Sequence, residues 1–273
     1  MDFFNSLTIS DHDFQRLVQF MQKNYGIDLS KKKTLITSRL SHSLKERGYT
    51  EIEPFLEQLF SKKNPDDVEL ILNKLTTNYT YFLREKDHFT YFQDVILPAL
   101  VKRHARDKVL SIWSAGCSSG EEPYTLSIYL KEFFGAQASQ WDTRVLATDI
   151  SQQAMAKAQK GLYHVPADMP SQWLRRYFTL DKATGLYSIS PEIRKNVIFR
   201  PFNLMDPIQF RLKFDVIFCR NVMIYFNQAT RDALVSRFCD AMHPGGYFFI
   251  SHSESLGQNP KFRLVAPSIY QKK

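Results

Sequence analysis

The feature that most limits how this chain can fold is a change of hydrophobic rhythm a little past residue 105. From there, short β-branched and aromatic runs recur at Val109 to Ser114, Arg144 to Ile150, Val197 to Asn203, Phe214 to Arg220 and Gly246 to Ser251. Helical stretches lie among them at Glu121 to Phe134, Ser151 to Lys160 and Gln228 to Met242. Strands joined by helices can lie parallel, and a parallel sheet needs a cover on both faces. The pattern predicts an α/β, Rossmann-like domain over 105–273. Two last runs, Arg263 to Val265 and Ile269 to Lys272, are separated only by Ala266-Pro267-Ser268 and predict an antiparallel hairpin at the sheet edge. Between Tyr177 and Ile189, Thr184-Gly185 divides two short apolar runs, which predicts a small antiparallel β-subdomain at about 177–196.

The first quarter has a different period. After Ser10, a candidate N-cap with Asp13 three residues on, Phe14, Leu17, Val18, Met21 and Tyr25 form one apolar helix stripe that Gly26 ends. Further helices are expected from Lys31 to Arg47, Ile52 to Phe60 and Asp66 to Asn78. Residues 1–76 thus read as an all-helical N-terminal domain. A linker and helical connector, with its helix over His88 to Arg103, follow at 77–104.

With 273 residues, 44% of them hydrophobic, the chain can bury a substantial core, which excludes a disordered protein. No run approaches the ~18 apolar residues of a membrane span. Met1-Asp2-Phe3-Phe4 lacks the basic start of a signal peptide, so a cytoplasmic protein without membrane insertion is expected. Cys117, Cys219 and Cys239 lack the spacing of a zinc knuckle or a disulfide framework, and no metal is expected. The net charge of +8 calls for an acidic partner without choosing it. Part of it is local, since Lys23, Lys31, Lys32, Lys33, Arg39, Lys45 and Arg47 face only Asp28 and Glu46 in that segment.

Ligands of open α/β sheets bind at the carboxyl ends of the strands, near the point where strand order reverses. The first such loop is Ala115-Gly116-Cys117-Ser118-Ser119-Gly120, opening a helix at Glu121-Glu122. It has neither G-x-G-x-x-G nor a Gly-Lys-Ser/Thr phosphate loop. Two glutamates at a helix start would repel a pyrophosphate and suit a cationic ligand. S-adenosylmethionine, with a sulfonium and an ammonium, has that character. Asp149 ends the second strand, where a carboxylate can accept from both ribose hydroxyls; the competing role is a helix cap, which Ser151 already offers. The apolar strand Phe214 to Cys219 stops at Arg220-Asn221, with Tyr225 close behind.

These motifs together resemble the CheR family of chemotaxis receptor glutamate methyltransferases over essentially the whole chain. They are Thr77 to Glu85, Trp113 to Tyr124, Ala147 to Ile150, Phe202-Asn203-Leu204, Cys219 to Phe226, and Gly245-Gly246 leading to His252-Ser253-Glu254. The resemblance implies a helical domain, a linker and an S-adenosylmethionine methyltransferase domain carrying a β-subdomain. It implies that Asn78, Thr80, Arg84, Gly116, Glu122, Asp149, Asn203, Leu204, Arg220 and Asn221 surround the cofactor. Arg84 and Tyr225 are its candidates for catalysis, positioning the acceptor. It also implies that the basic helix, through Lys32, Lys33, Arg39, Lys45 and Arg47, docks on the acidic helical bundle of receptors in membrane arrays. S-adenosylhomocysteine would be the product, and a monomer is expected. The β-subdomain tethers some members to a receptor C-terminal pentapeptide; the short loop Leu180 to Gly185 predicts independence from it.

Transfer to a carboxylate diminishes both reactant charges, so alignment and water exclusion matter more than a base. Two other classes remain open. A nucleic-acid methyltransferase would share the cofactor fold, but Arg220-Asn221-Val222-Met223 replaces the Asn/Asp-Pro-Pro-aromatic motif of amino-group enzymes, and no nucleic-acid module is visible. A non-catalytic cofactor-binding adaptor would have no need of both Arg84 and Tyr225.

Overall fold

The computed structural model describes residues 7–62, 64–76 and 78–273, so Met1 to Phe4 and Thr77, both used above, lie outside the described residues. The chain divides into two compact units, Met1–Asn78 with Tyr225–Arg231, and Tyr79–Ile224 with Asp232–Lys273. Residues Tyr225–Arg231 sit within the stretch read above as part of the α/β domain, yet they group with the helices.

The first unit holds α1 (Asp11–Tyr25), α2 (Lys33–Glu46), α3 (Glu53–Lys62) and α4 (Pro65–Leu75). The Ser10 hydroxyl accepts from the Asp13 N–H, and Gly26 closes α1 in the left-handed conformation, as their residue types predict. Phe14, Leu17 and Met21 of α1, Ile36, Leu40 and Leu44 of α2, Phe55, Leu56 and Leu59 of α3, and Ile71, Leu72 and Leu75 of α4 supply the core. The fourth helix stops at Leu75, short of the expected Asn78, because Thr76 turns extended while its hydroxyl donates back to the Leu72 carbonyl. Ile27 pairs with Phe226 as an antiparallel bridge, and the Asp28 N–H donates to the Tyr225 carbonyl at 2.8 Å.

The second unit opens with α5 (Lys86–Tyr91) and α6 (Leu97–Arg103), joined by a π-helical turn at Phe92–Ile96. One continuous helix was expected here. Pro98 has no N–H to give the Asp94 carbonyl, and the helix widens at that point. There follow β1 (Ile112–Ala115), α7 (Glu121–Phe134), β2 (Val145–Asp149), α8 (Gln152–Lys160), β3 (Leu162–Tyr163), α9 (Ser171–Tyr177), β4 (Phe178–Leu180), β5 (Tyr187–Ile189), α10 (Pro191–Lys195) and β6 (Val197–Pro201). The chain finishes with β7 (Phe214–Phe218), α11 (Gln228–Ala241), β8 (Met242–Phe249), β9 (Phe262–Ala266) and β10 (Ile269–Lys272).

Seven strands form one sheet in the order β6-β2-β1-β7-β8-β10-β9, with β6 through β8 parallel and β10 antiparallel to both its neighbours. The final hairpin therefore sits at the sheet edge, as expected. A second sheet, β3-β5-β4, is the β-subdomain; it starts at Leu162, earlier than the span of about 177–196, because two residues are too short a run to read as a strand. Trp113, fully buried in β1, has Phe202, Phe210, Phe214 and Phe238 within 5.1 to 5.8 Å between ring centroids, and its indole N–H donates to the Thr148 hydroxyl. Removing such a ring would cost about 3–5 kcal/mol. No helix among the described residues is long and apolar enough to cross a membrane.

Candidate functional site

Strands β1 and β7 lie side by side, while the chain leaves β1 toward β2 on one flank and β7 toward β8 on the other. That reversal marks the ligand-binding end of such a sheet. The carboxyl ends there carry Gly116 after β1 and Arg220-Asn221 after β7.

The loop after β1 is fixed by its backbone. The Gly116 and Cys117 N–H groups donate to the Thr148 carbonyl at 2.8 and 2.9 Å. Gly116 has φ +82, and a Cβ there would lie 2.4 Å from the Val222 side chain, so the loop after β1 lies against the loop after β7 only if this residue is glycine. Gly120, at φ +96, would bring a Cβ to 2.8 Å from that of Ala158. Asp149 ties this loop to the next: its carboxylate accepts from the Ser118 N–H at 2.7 Å and the Ser151 N–H at 2.9 Å. The cap of α8 is the Ser151 hydroxyl, which accepts from the Ala154 N–H.

Charge converges on Arg220, whose side chain is 2% exposed. Its Nε donates to Glu85 Oε2 at 3.2 Å, one Nη donates to the Arg84 carbonyl, and the other Nη stands 3.5 Å from Glu122 Oε2 with no hydrogen-bond partner of its own. Glu122 accepts from the Ser114 hydroxyl at 2.7 Å. Burial pushes the Glu122 carboxyl above its usual range, and the Arg220 charge pulls it back only in part. One buried guanidinium thus faces two carboxylates, with Asp149 a third acidic group in the adjoining loops.

The loop after β7 is held by Glu254, which accepts from the Asn221, Ile224 and Ser251 N–H groups at 3.2, 3.0 and 2.8 Å, while burial raises its pKa. Asn221 takes φ +59, and its amide donates to the Ser251 hydroxyl. After β6, the Asn203 side chain accepts from the Met205 N–H, and Arg237 donates to the Leu204 and Met205 carbonyls at 2.7 and 2.8 Å.

The second unit therefore holds Thr80, Arg84, Gly116, Glu122, Asp149, Asn203, Leu204, Arg220 and Asn221. Direct contacts join Arg84, Glu122 and Arg220; Thr80 is half-buried in the segment leading to Arg84. Asn78 and Tyr225 belong to the helical unit, where Lys32 Nζ lies 5.2 Å from the Tyr225 ring. Of the five basic residues proposed for docking, Lys33, Arg39 and Lys45 lie on α2, and Lys32 and Arg47 flank its two ends. Lys33, Arg39 and Lys45 follow one another at six-residue steps, about 240° around the helix each time. Lys33 pairs with Asp11, Arg39 donates to the Lys74 carbonyl, and Arg47 pairs with the buried Asp67.

Glu85, Ser114, Ser118 and Glu254 are site residues that sequence reasoning left without a role. Glu85 and Glu254 stand inside the motifs Thr77 to Glu85 and His252-Ser253-Glu254, and their place there was the available signal. Glu85, His88 and His252 also bring a ligand atom each within 4.8 Å of one another. Arg220 already engages Glu85, and the His252 ring nitrogens are bonded by Ser268 and Asp87, so this donor set does not suit a cation.

A glycine-turned loop without a phosphate cradle, a buried glutamate at the first helix and an aspartate closing the second strand make a doubly wound domain whose site suits a nucleoside ligand of positive charge. The chain belongs to the CheR methyltransferase family: its SAM binding domain model matches residues 78–270 and its all-alpha domain model residues 12–76. The chain is 37% identical to a chemotaxis protein methyltransferase of Borreliella burgdorferi over 98% of this chain and 96% of that one. It is 34% identical to a chemotaxis protein methyltransferase of Escherichia coli, over 97% and 92% respectively. A solved S-adenosylmethionine dependent methyltransferase from Mesorhizobium loti overlaps 56% of this chain and 51% of its own, at 20% identity and a TM-score of 0.28.

Proposed function

We propose that this chain methylates glutamate side chains on the cytoplasmic helical bundle of chemotaxis receptors, forming glutamate 5-O-methyl esters with S-adenosylmethionine as donor and S-adenosylhomocysteine as product. It would act as a monomer recruited to membrane receptor arrays. The observation that carries this reading is the network in which Arg220 is shared between Glu85 and Glu122 while Asp149 joins the two cofactor loops. When bound, the cofactor supplies an electrophilic methyl group on a sulfonium.

The chain's own residues bind, orient and exclude water. Asp149, at the end of β2, is the carboxylate assigned to accept from the ribose hydroxyls. Glu122, under-neutralised by Arg220, faces the ammonium-bearing portion, and Asn203, Leu204 and Asn221 complete the surround. The acceptor glutamate, with a pKa near ~4.3, is ionised at neutral pH and needs no base. Arg84 orients its carboxylate by a contact weak enough to leave the nucleophile reactive, so the gain is in alignment, worth up to roughly 7–11 kcal/mol in well-oriented reactions. Tyr225 as a hydrogen-bond donor to the transfer, and Asn78 and Thr80 as cofactor neighbours, rest on the family resemblance; Tyr225→Phe tests the first. Receptor docking is assigned to Lys32, Lys33, Arg39, Lys45 and Arg47, of which Lys45 and Arg47 are exposed.

Incubation with methyl-labelled S-adenosylmethionine and receptor fragments tests the whole reading. Label released as methanol in alkali is expected. Alkali-stable label would indicate amide or base methylation, and cofactor binding without transfer would indicate an adaptor. Arg84→Ala is expected to lose turnover; full turnover would remove Arg84 from the mechanism.

A further inference from the structure

The segment from Tyr79 to Glu85 holds Arg84 from several sides. One guanidinium Nη donates to the Tyr79 carbonyl at 2.8 Å. The guanidinium carbon lies 6.0 Å from the Tyr79 ring centroid and 5.9 Å from that of Tyr81, and the two rings sit 5.7 Å apart at 52°. From the other side, the Arg84 carbonyl accepts from the buried Arg220. The flanking residues Leu83 and Glu85 both take positive φ, 63° and 54°, a conformation that side chains of this size rarely adopt unless the surroundings impose it.

Tyr79 is 70% exposed and Tyr81 43% exposed. Core packing does not account for two neighbouring rings left in water, and each instead offers a face to the same cation. One Nη is committed to the Tyr79 carbonyl, so part of the guanidinium's donor set is already engaged before a carboxylate arrives.

We propose that Tyr79 and Tyr81 are positioning residues that clamp Arg84 and set how this chain receives its acceptor. They hold the guanidinium in one orientation before the substrate arrives and lay apolar ring faces beside it for the methylene groups of a glutamate on an acidic helix. The inference rests on the reading of Arg84 as the acceptor-orienting residue. Pre-ordering a flexible side chain lowers the entropy lost on binding, so the benefit appears in acceptor recognition and leaves the cofactor untouched.

The test uses the full chain with Tyr79→Ala/Tyr81→Ala, Tyr79→Phe/Tyr81→Phe and Arg84→Ala. Kinetics are measured on a receptor cytoplasmic fragment, and S-adenosylhomocysteine affinity by calorimetry. The double alanine variant is expected to lower kcat/KM for the receptor about five- to tenfold, mainly through KM, with cofactor Kd within about twofold of the parent. The double phenylalanine variant should keep parental kinetics, since the ring face and not the hydroxyl does the holding. Parental kcat/KM in the double alanine variant would overturn the clamp, as would an equal loss with phenylalanine or a cofactor Kd that weakens in proportion. Arg84→Ala separates the two levels. If it keeps parental receptor methylation, the acceptor-orienting reading fails, whereas its loss beside an unaffected double alanine variant removes only the clamp.

Discussion

Two groups of charged side chains in this molecule behave in opposite ways. At the carboxyl ends of β1, β2 and β7, charges far apart in sequence converge: Arg220 meets Glu85 across 135 residues, and Glu122 across 98, with almost no exposure to water. On α2, charges close together in sequence disperse, because the helix turns Lys33, Arg39 and Lys45 to three sides, with Lys33 paired to Asp11 and Arg39 donating to the Lys74 carbonyl. Buried charges retain their strength, and losing a partner is costly. Exposed ones are screened and individually weak. A dense basic stretch of sequence is therefore poorer evidence of a site than a few charges that the fold drives together.

The largest effect should come from breaking the converging set. Arg220→Met leaves Glu85 and Glu122 without their cation and should cost about 3 kcal/mol or more of stability, read by denaturant unfolding. A loss under about 1 kcal/mol would mean that the network is far more hydrated than its burial indicates. Asp149→Asn comes next: it removes the charge that gathers two loop N–H groups, and S-adenosylhomocysteine affinity should fall about 10- to 100-fold by calorimetry.

A smaller effect is expected from His88. Both its ring nitrogens are buried without hydrogen-bond partners, and burial, reinforced by the Arg220 charge, lowers its pKa to about 4. The folded chain then binds fewer protons here than the unfolded chain between about pH 4 and the ordinary histidine value of ~6.5. Stability is lost as pH falls through that window, by on the order of 1 kcal/mol at pH 5.5. His88→Phe should flatten that part of the profile in thermal melts taken between pH 7.5 and 5; an unchanged slope would assign the acid sensitivity elsewhere.

The dispersed set should yield least. Lys45→Glu is expected to change stability by less than about 1 kcal/mol and to slow receptor methylation only a few-fold, an effect that added salt erases. A loss as large as that from Asp149→Asn would reverse the contrast between the two regions. Removing the receptor's C-terminal pentapeptide is expected to leave the methylation rate unchanged, since the turn between β4 and β5 is short and closed on itself by Asp181.

Much was legible in the chain alone because it depends on near neighbours. Ser10 and Gly26 bound α1 through bonds that span three to five residues, and the alternation after residue 105 implied a parallel sheet by the length of its crossovers. The loop sequence from Gly116 to Glu122 excluded a phosphate site by its charges. The two-residue strand Leu162–Tyr163 and the break before Pro98 were not legible: the first depends on a partner strand 25 residues away, the second on how a missing N–H is accommodated.

What the sequence by itself determined is the order of helices and strands and the kind of ligand that the loops can bear, since periodicity, turn residues and local charge act over a few residues. Only the tertiary structure decided that Arg220 is shared by Glu85 and Glu122 and that Asp149 clasps two loops rather than capping a helix. Those outcomes depend on which strand ends meet and what water they exclude, and that is a property of the packed sheet rather than of any stretch of chain.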